Sequence, residues 1–378
     1  MRKLFYEDCD LTEFTATVTG CTETEKGWLV TLDATAFYPE GGGQACDIGT
    51  LGGANVLDVQ ENGEKILHLC DEKLEIGASV RGIIDWERRF DLMQQHTGEH
   101  ILSGLIHEKF SYHNTGFHVG ADVLEVDFDG VIDWADLMEL EFRANQAVWA
   151  DIPLKCWIPD PEELKTLFYR TKRALPWPVR IVQVPGYDSC ACCGIHVART
   201  GQVGLIKILS ATRLRGGVRL QMVCGQRAYR HMARIFEENR QVSQAFSAPM
   251  DGTGAAARKM NDALAAEKQR AAALMGTLFD TVAAGYAGKA NVLHFEDGLE
   301  PVQVRLLADK IAGTITGWCA VFSGGCYCLA TRQGDLRGLN QAMTAALGGR
   351  GGGKPNFQQG SVQAEKAEIE AFFSRVEL

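Results

Sequence analysis

Gln94-Gln95-His96-Thr97-Gly98-Glu99-His100-Ile101-Leu102 is the stretch from which the rest of the chain is read. Two histidines four residues apart stand one above the other on a helix, so both imidazoles can reach one ion. Phe90, Leu92, Met93, Ile101, Leu102, Leu105 and Ile106 recur at helical spacing and predict a helix with one apolar face through the pair. Alone, such a pair is also what a surface helix carries by chance. A second pair changes the balance. In Ser189-Cys190-Ala191-Cys192-Cys193-Gly194-Ile195-His196-Val197, Cys192 and His196 again stand four apart. Together the pairs offer one thiolate and three imidazoles, a donor set suited to tetrahedral zinc. Cys190 and Cys193 are spare thiols beside them, and Cys193, three residues before His196, could supply the sulfur in place of Cys192.

The totals bound what can surround such a site. A chain of 378 residues is too long for one ordinary core and predicts several domains. Apolar residues at 46% and charged residues at 23% are the balance of a soluble globular protein. No apolar run is long enough to span a bilayer, and Met1 to Glu7 has no apolar signal core, so no membrane partner is expected. Twelve cysteines without a signal segment predict reduced thiols in the cytoplasm. The net charge of −10 argues against general affinity for nucleic acid, but it hides an asymmetry. From Lys165 to Arg240 the chain holds fourteen Lys and Arg against three Asp and Glu. One basic face on an acidic protein suits docking of a polyanion.

Working outward, residues 1–85 read as a small β domain, with short β-branched or alternating runs at 14–18, 27–32 and 65–69 and a hairpin turn at Asn62-Gly63. Within it, Thr35 to Gly49 contains Gly41-Gly42-Gly43-Gln44, a tight loop that lets backbone approach closely but lacks the Lys-Ser/Thr of a phosphate loop. Residues 86–235 hold both ligand pairs. Paired strands are expected at 117–119 and 123–128, a helix at 136–150, and further strands at 153–158, 179–184, 205–209 and 218–223. Residues 236–285 read as a helical linker, interrupted at Gly252-Thr-Gly254, with Met260, Leu264, Ala271, Leu274, Leu278 and Val282 at three-, four- and seven-residue spacing. Residues 286–378 read as an α/β unit closed by the glycine run Gly348 to Gly360, expected to be an ordered loop before a final helix at 362–376. The predicted fold class is α+β multidomain: a β-barrel-like domain, a zinc-containing α+β domain, a helical linker and a C-terminal α/β domain.

With these signatures placed, the chain resembles the long form of the alanyl-tRNA editing proteins, free-standing editing domains similar to alanyl-tRNA synthetase. Thr35 to Gly49 resembles the glycine-rich signature of the family's N-terminal domain. His96-Thr-Gly-Glu-His100 resembles its His-x3-His pair, and Cys192-Cys-Gly-Ile-His196-Val197 its Cys-Gly-Gly-Thr-His-Val motif. Arg215-Gly-Gly-Val-Arg219 resembles the strand that follows, and Gly348 to Gly360 the DHH-associated C-terminal domain. The resemblance implies a zinc-dependent hydrolase that removes serine or glycine from mischarged tRNA(Ala). It implies one zinc per chain on His96, His100, Cys192 and His196, and it is the reason for choosing Cys192 over Cys193. It also implies tRNA as partner and a homodimer formed through the linker or the C-terminal domain.

Around that centre, Thr35, Gln44 and Asp47 are the expected lining of an amino-acid pocket, and Glu99 the expected base for an attacking water. Arg213, Arg215, Arg219, Arg350 and Lys354 are the expected phosphate contacts, which would position the RNA and not read its sequence. Glu99, His118, Glu125 and Ile195 depart from the family's usual residues, and all four are expected near the pocket. His96-Thr-Gly-Glu99-His100 also fits the His-x-x-Glu-His of inverted zinc peptidases, but those need a downstream carboxylate ligand where this chain has Cys192 and His196. Two other functions remain open: an RNA-binding protein that keeps zinc without editing, and a hydrolase of another aminoacyl ester.

Overall fold

The computed structural model describes residues 1–171 and 175–376. It is a mixed α/β, multidomain chain that divides into two compact units, Met1–Gln241 and Val242–Leu378. The four-part division expected from the sequence is finer than this.

In the first unit, six strands hydrogen-bond in a closed ring in the order Glu13–Thr24, Gly27–Leu32, Lys65–Cys70, Ala54–Asn62, Gly49–Leu51, Ser79–Ile84. The ring closes where Phe14 pairs with Gly82 and Ala16 with Val80. Side chains alternate as pleated strands require, so Phe14, Ala16 and Val18 point inward while their neighbours face solvent. Asn62 pairs with Lys65 across the turn at Gly63, whose φ of 61° favours glycine. The segment between Thr35 and Gly49 leaves the ring as a long loop braced at both ends. At one end the Thr35 hydroxyl accepts from Phe37 N and bonds to His68 Nε2 at 2.8 Å. At the other, Asp47 accepts from the buried Arg89 guanidinium, with Nε 3.1 Å away, and from Tyr38 N.

The helix through the histidine pair runs from Trp86 to Phe110. Asp85 caps it by accepting from Arg88 N at 3.1 Å, and Ser111 ends it in a left-handed conformation with φ 58°. It differs from the one-faced helix expected. Every residue from Leu92 to Ile106 is buried, including Gln94, Gln95, His96, Thr97, Glu99, His100 and Ser103. The reason is its surroundings, since the barrel loop and two sheets cover different sides of it. One sheet is four-stranded, in the order Ile206–Leu214, Gly217–Cys224, Leu124–Phe128, Asn114–Val119; the other joins Lys155–Trp157, Ile181–Val184 and Asp188–Ala191. A single hydrophobic cluster runs from Phe5 in the barrel through Leu105 to Cys224.

Two long helices come next, Gly225–Phe246 at the end of the basic region and Thr253–Ala284 after it, with the break near Gly252 that the glycines predict. The second unit carries a five-stranded sheet in the order Val292–Phe295, Trp318–Ser323, Cys326–Thr331, Phe357–Ser361, Arg350–Lys354. Here the glycine run corrects the sequence reading. It is an edge hairpin and not a loop before a helix, and the last helix is shorter than expected, Lys366–Phe373. A Cβ at Gly351 would lie 2.0 Å from Tyr327 Oη and one at Gly360 2.7 Å from it, so these two glycines leave room for a tyrosine that lies against the hairpin. Among the described residues no helix is long and apolar enough to cross a membrane.

Candidate metal centre

His96 and His100 stand on successive turns of the buried helix, Cys192 just past the strand Asp188–Ala191, and His196 in the turn that follows. One donor atom from each lies within 4.8 Å of all the others. The ring centroids of His96 and His100 are 4.4 and 4.6 Å from that of His196, and Cys192 Sγ is 3.4 Å from His96 Nε2. Arg180 fixes the cysteine turn by donating to the carbonyls of Cys192 and Gly194 at 3.0 and 2.7 Å. Gly194 is needed there, because a Cβ would sit 2.2 Å from the His96 ring. Cys193 turns away, exposed, with its sulfur 3.0 Å from where a Cβ on Gly42 would be. The glycine loop therefore packs against the cysteine turn.

The outer partners decide what the cluster can hold. His96 Nδ1 bonds Gln44 Oε1 at 2.8 Å, His100 Nδ1 bonds Asp188 Oδ2 at 3.1 Å, and His196 Nδ1 bonds Thr97 Oγ1 at 3.2 Å. All three imidazoles are tied back through the same nitrogen, which leaves each Nε2 for the centre. His196 Nε2 is buried and has no hydrogen-bond partner. A buried nitrogen without a partner is costly unless something fills the position, and imidazoles held by an outer bond are the arrangement of metal ligands. Burial opposes ionisation of the Cys192 thiol, but the imidazoles gathered around it hold it well below the usual thiol range. Burial holds His196 well below its ordinary value. Burial also works against a charged His100, but the bond to Asp188 prevails and raises it well above. Asp188, for which burial alone would favour the neutral acid, is kept low by His100 and by Arg170, whose Nε and Nη2 reach it at 2.7 and 2.9 Å. Cys190 joins His100 and Asp188 as a second group of close donors. With Asp188 already neutralised by Arg170, that group is the weaker cation site.

The other expected residues fall in different places. Gln44 reaches the cluster; Thr35 and Asp47 sit at the two ends of its loop. Glu99 is buried on the same helix, with its Oε1 accepting from Ser103 Oγ and from Asn114 Nδ2 at 2.6 Å. Arg213 and Arg215 are exposed at a hairpin end. Arg219 is bound to Asp127 at 2.7 Å and Glu125 at 3.1 Å. Arg350 and Lys354 are exposed in the second unit. Two of the four departures do not approach the cluster as expected. Phe117 stacks on His96 at 4.8 Å, so its strand neighbour His118 faces the opposite, exposed side, opposite Glu125. Sequence reading missed Asp188, Arg170, Thr97 and Phe117. Period-two alternation through Asp188-Ser-Cys190-Ala-Cys192 was the available signal for the first.

Two family descriptions match the chain: tRNA synthetases class II (A) over residues 4–88, and the threonyl and alanyl tRNA synthetase second additional domain over residues 179–220. An alanine–tRNA ligase of Thermofilum pendens is 30% identical over 97% of this chain, which covers 43% of that protein. The chain thus spans less than half the length of the ligases it matches. An alanyl-tRNA editing protein (Aarsd1) of Danio rerio is 26% identical over 96% of this chain and 95% of its own length. The alanyl-tRNA editing protein AlaX-L of Pyrococcus horikoshii is 31% identical over 63% of this chain and 61% of its own. With both synthetase-derived segments in order and free-standing editing proteins matched along most of its length, this chain is similar to the alanyl-tRNA synthetase-like editing proteins.

Proposed function

We propose that this chain is a trans-editing hydrolase that deacylates mischarged tRNA(Ala), with Ser-tRNA(Ala) and Gly-tRNA(Ala) as substrates. The observation that carries the reading is the convergence of three Nε2 atoms on one sulfur while every Nδ1 is tied back. The donor set fits zinc, which His96, His100, Cys192 and His196 would hold. Zinc bound there supplies a fixed positive charge beside the aminoacyl ester. Cys192 is the one donor that keeps solvent exposure, so the ester approaches from its side. Gln44 orients His96, and Thr35 and Asp47 act through the loop that carries Gln44. Glu99, held by Ser103 and Asn114, takes the proton of the attacking water and returns it to the leaving ribose hydroxyl. Arg213, Arg215, Arg350 and Lys354 contact phosphates, while Arg219 supports the sheet through Asp127 and Glu125. Met260, Leu264, Leu274 and Leu278, each more than half exposed on Thr253–Ala284, are the proposed seam of a homodimer.

The test is deacylation of Ser-, Gly- and Ala-tRNA(Ala) by the purified protein, with Cys192→Ala alongside. Rapid loss of serine or glycine, sparing of alanine, and a defect in Cys192→Ala are expected. No turnover of any of the three by zinc-loaded protein would sink the assignment.

A further inference from the structure

Three successive carbonyls of the cysteine turn are each held from outside the turn. Arg180 Nη1 donates to Cys192 O at 3.0 Å and to Gly194 O at 2.7 Å, and the carbonyl between them, Cys193 O, accepts from Tyr6 Oη at 2.6 Å. The two holders also touch, since the Arg180 guanidinium lies 4.5 Å from the centre of the Tyr6 ring. Arg180 meets the turn again through its backbone, its carbonyl accepting from Cys192 N at 3.0 Å. Tyr6 comes from the short helix Leu4–Glu7 at the start of the chain, so a residue 187 positions away completes the set.

A trans peptide points its C=O and its N–H in opposite directions. With Cys193 O turned to Tyr6, the Gly194 N–H is turned the other way, and it meets Cys192 Sγ at 3.3 Å. One peptide plane therefore joins the tyrosine hydroxyl to the sulfur. The hydroxyl polarises the carbonyl, and the polarised N–H is the stronger donor. Packing alone does not ask for this arrangement, because a guanidinium stacked on an aromatic ring needs no hydroxyl. Arg89, Arg170 and Arg227 in the same unit each face a carboxylate. Among the described residues no carboxylate pairs with Arg180, so its charge is left facing the cysteine turn.

We propose that Tyr6 and Arg180 are positioning residues of the metal centre, which hold the Cys193–Gly194 peptide so that its N–H stays on the Cys192 sulfur. An N–H on a thiolate withdraws charge from it, so an ion bound by Cys192 keeps more of its own positive charge for the aminoacyl ester. This rests on the reading of the four donors as the zinc site of a hydrolase.

The test loads the full chain with cobalt(II) in place of zinc. The thiolate-to-cobalt absorption band then reports the donor strength of the sulfur, and the visible bands report tetrahedral geometry. Tyr6→Phe keeps the ring under Arg180 and removes only the hydroxyl. Its thiolate band is expected at longer wavelength than in wild type, with the tetrahedral bands retained. Arg180→Ala releases both flanking carbonyls and is expected to lower zinc affinity about tenfold in chelator competition. Arg180→Lys, which keeps the charge, should recover part of that loss. An unmoved thiolate band in Tyr6→Phe overturns the proposal, and so does wild-type zinc affinity in Arg180→Ala. A lower melting temperature with band and affinity unmoved counts against it in the same way, as the mark of packing alone. Deacylation assayed in parallel separates the two readings. If the band shifts in Tyr6→Phe but wild-type protein deacylates nothing, the hydrolase reading fails and the positioning role stands. If wild-type protein deacylates and the band does not move, only the positioning role fails. Wild-type protein that binds no cobalt overturns both.

Discussion

Gln44 and His68 are buried polar residues of the barrel domain with opposite consequences. Gln44 orients His96 through Oε1, while its Nε2 has no partner. Its removal therefore costs the metal more than it costs the fold. Gln44→Ala is expected to weaken zinc binding by about 10- to 100-fold, measured by competition with a chromogenic chelator, with the circular dichroism spectrum unchanged. His68 lies between Val30 O and Thr35 Oγ1, and burial lowers its pKa to about 4 against an opposing bond to the Val30 carbonyl. Above the unfolded value of 6.5 both states are neutral and the full stability is present. As pH falls below that value the unfolded chain takes up the proton first, so stability declines until the folded imidazole titrates near 4. The loss attributable to His68 across this window is about 3 kcal/mol. Urea midpoints measured against pH should fall less steeply in His68→Gln; identical slopes would refute the assignment.

The long helix Trp86–Phe110 is the element on which the site depends, and its glycines show how closely it is covered. A Cβ on Gly104 would lie 2.3 Å from Tyr187 O and 2.7 Å from Asp188 Cβ, so alanine must push the cysteine strand away. Helix propensity alone predicts that Gly104→Ala gains about 1 kcal/mol. Overpacking against backbone is expected to win and destabilise the protein by about 1–3 kcal/mol. Zinc affinity should fall with it, because Asp188 moves off His100. Gly276→Ala, with nothing near its Cβ on Thr253–Ala284, is the control in which the propensity gain should appear. Urea denaturation and chelator competition read both effects. Much at this scale was legible beforehand: the turn at Asn62-Gly63, the strands at 27–32 and 65–69, and the helix break near Gly252 follow from local rules. The edge hairpin at Arg350–Lys354 was not, since the need for glycine at 351 comes from Tyr327, on a neighbouring part of the sheet and remote from it in local pattern.

Over the whole molecule, the four donors draw on one hydrophobic cluster that runs from Phe5 to Cys224, while the second unit is built on separate clusters from Phe279 to Phe373. An ion that binds only the folded first unit stabilises that unit by mass action. Chelation is expected to accelerate amide hydrogen exchange in residues 86–110 and 181–197 and to leave 292–373 unchanged. Uniform acceleration along the chain would show that the ion supports more than its own unit. The two ligand pairs, the helix under the first and the alternation of the barrel strands were legible in sequence, because each depends on spacing along a few turns or a few pleats; the strand Asp188–Ala191 before Cys192 was not. Which partner each imidazole would take was decided only by the fold. Asp188 is one of 48 carboxylates, and alternation puts it on the face of Cys190 and Cys192 without saying which imidazole it meets. It meets His100 because Gly104 lets a strand lie against the helix, and Arg170 neutralises it from across a sheet edge. The opposite fates of Phe117, stacked on His96, and His118, turned to solvent, have the same origin: strand register is set by long-range pairing, which spacing along the chain does not contain.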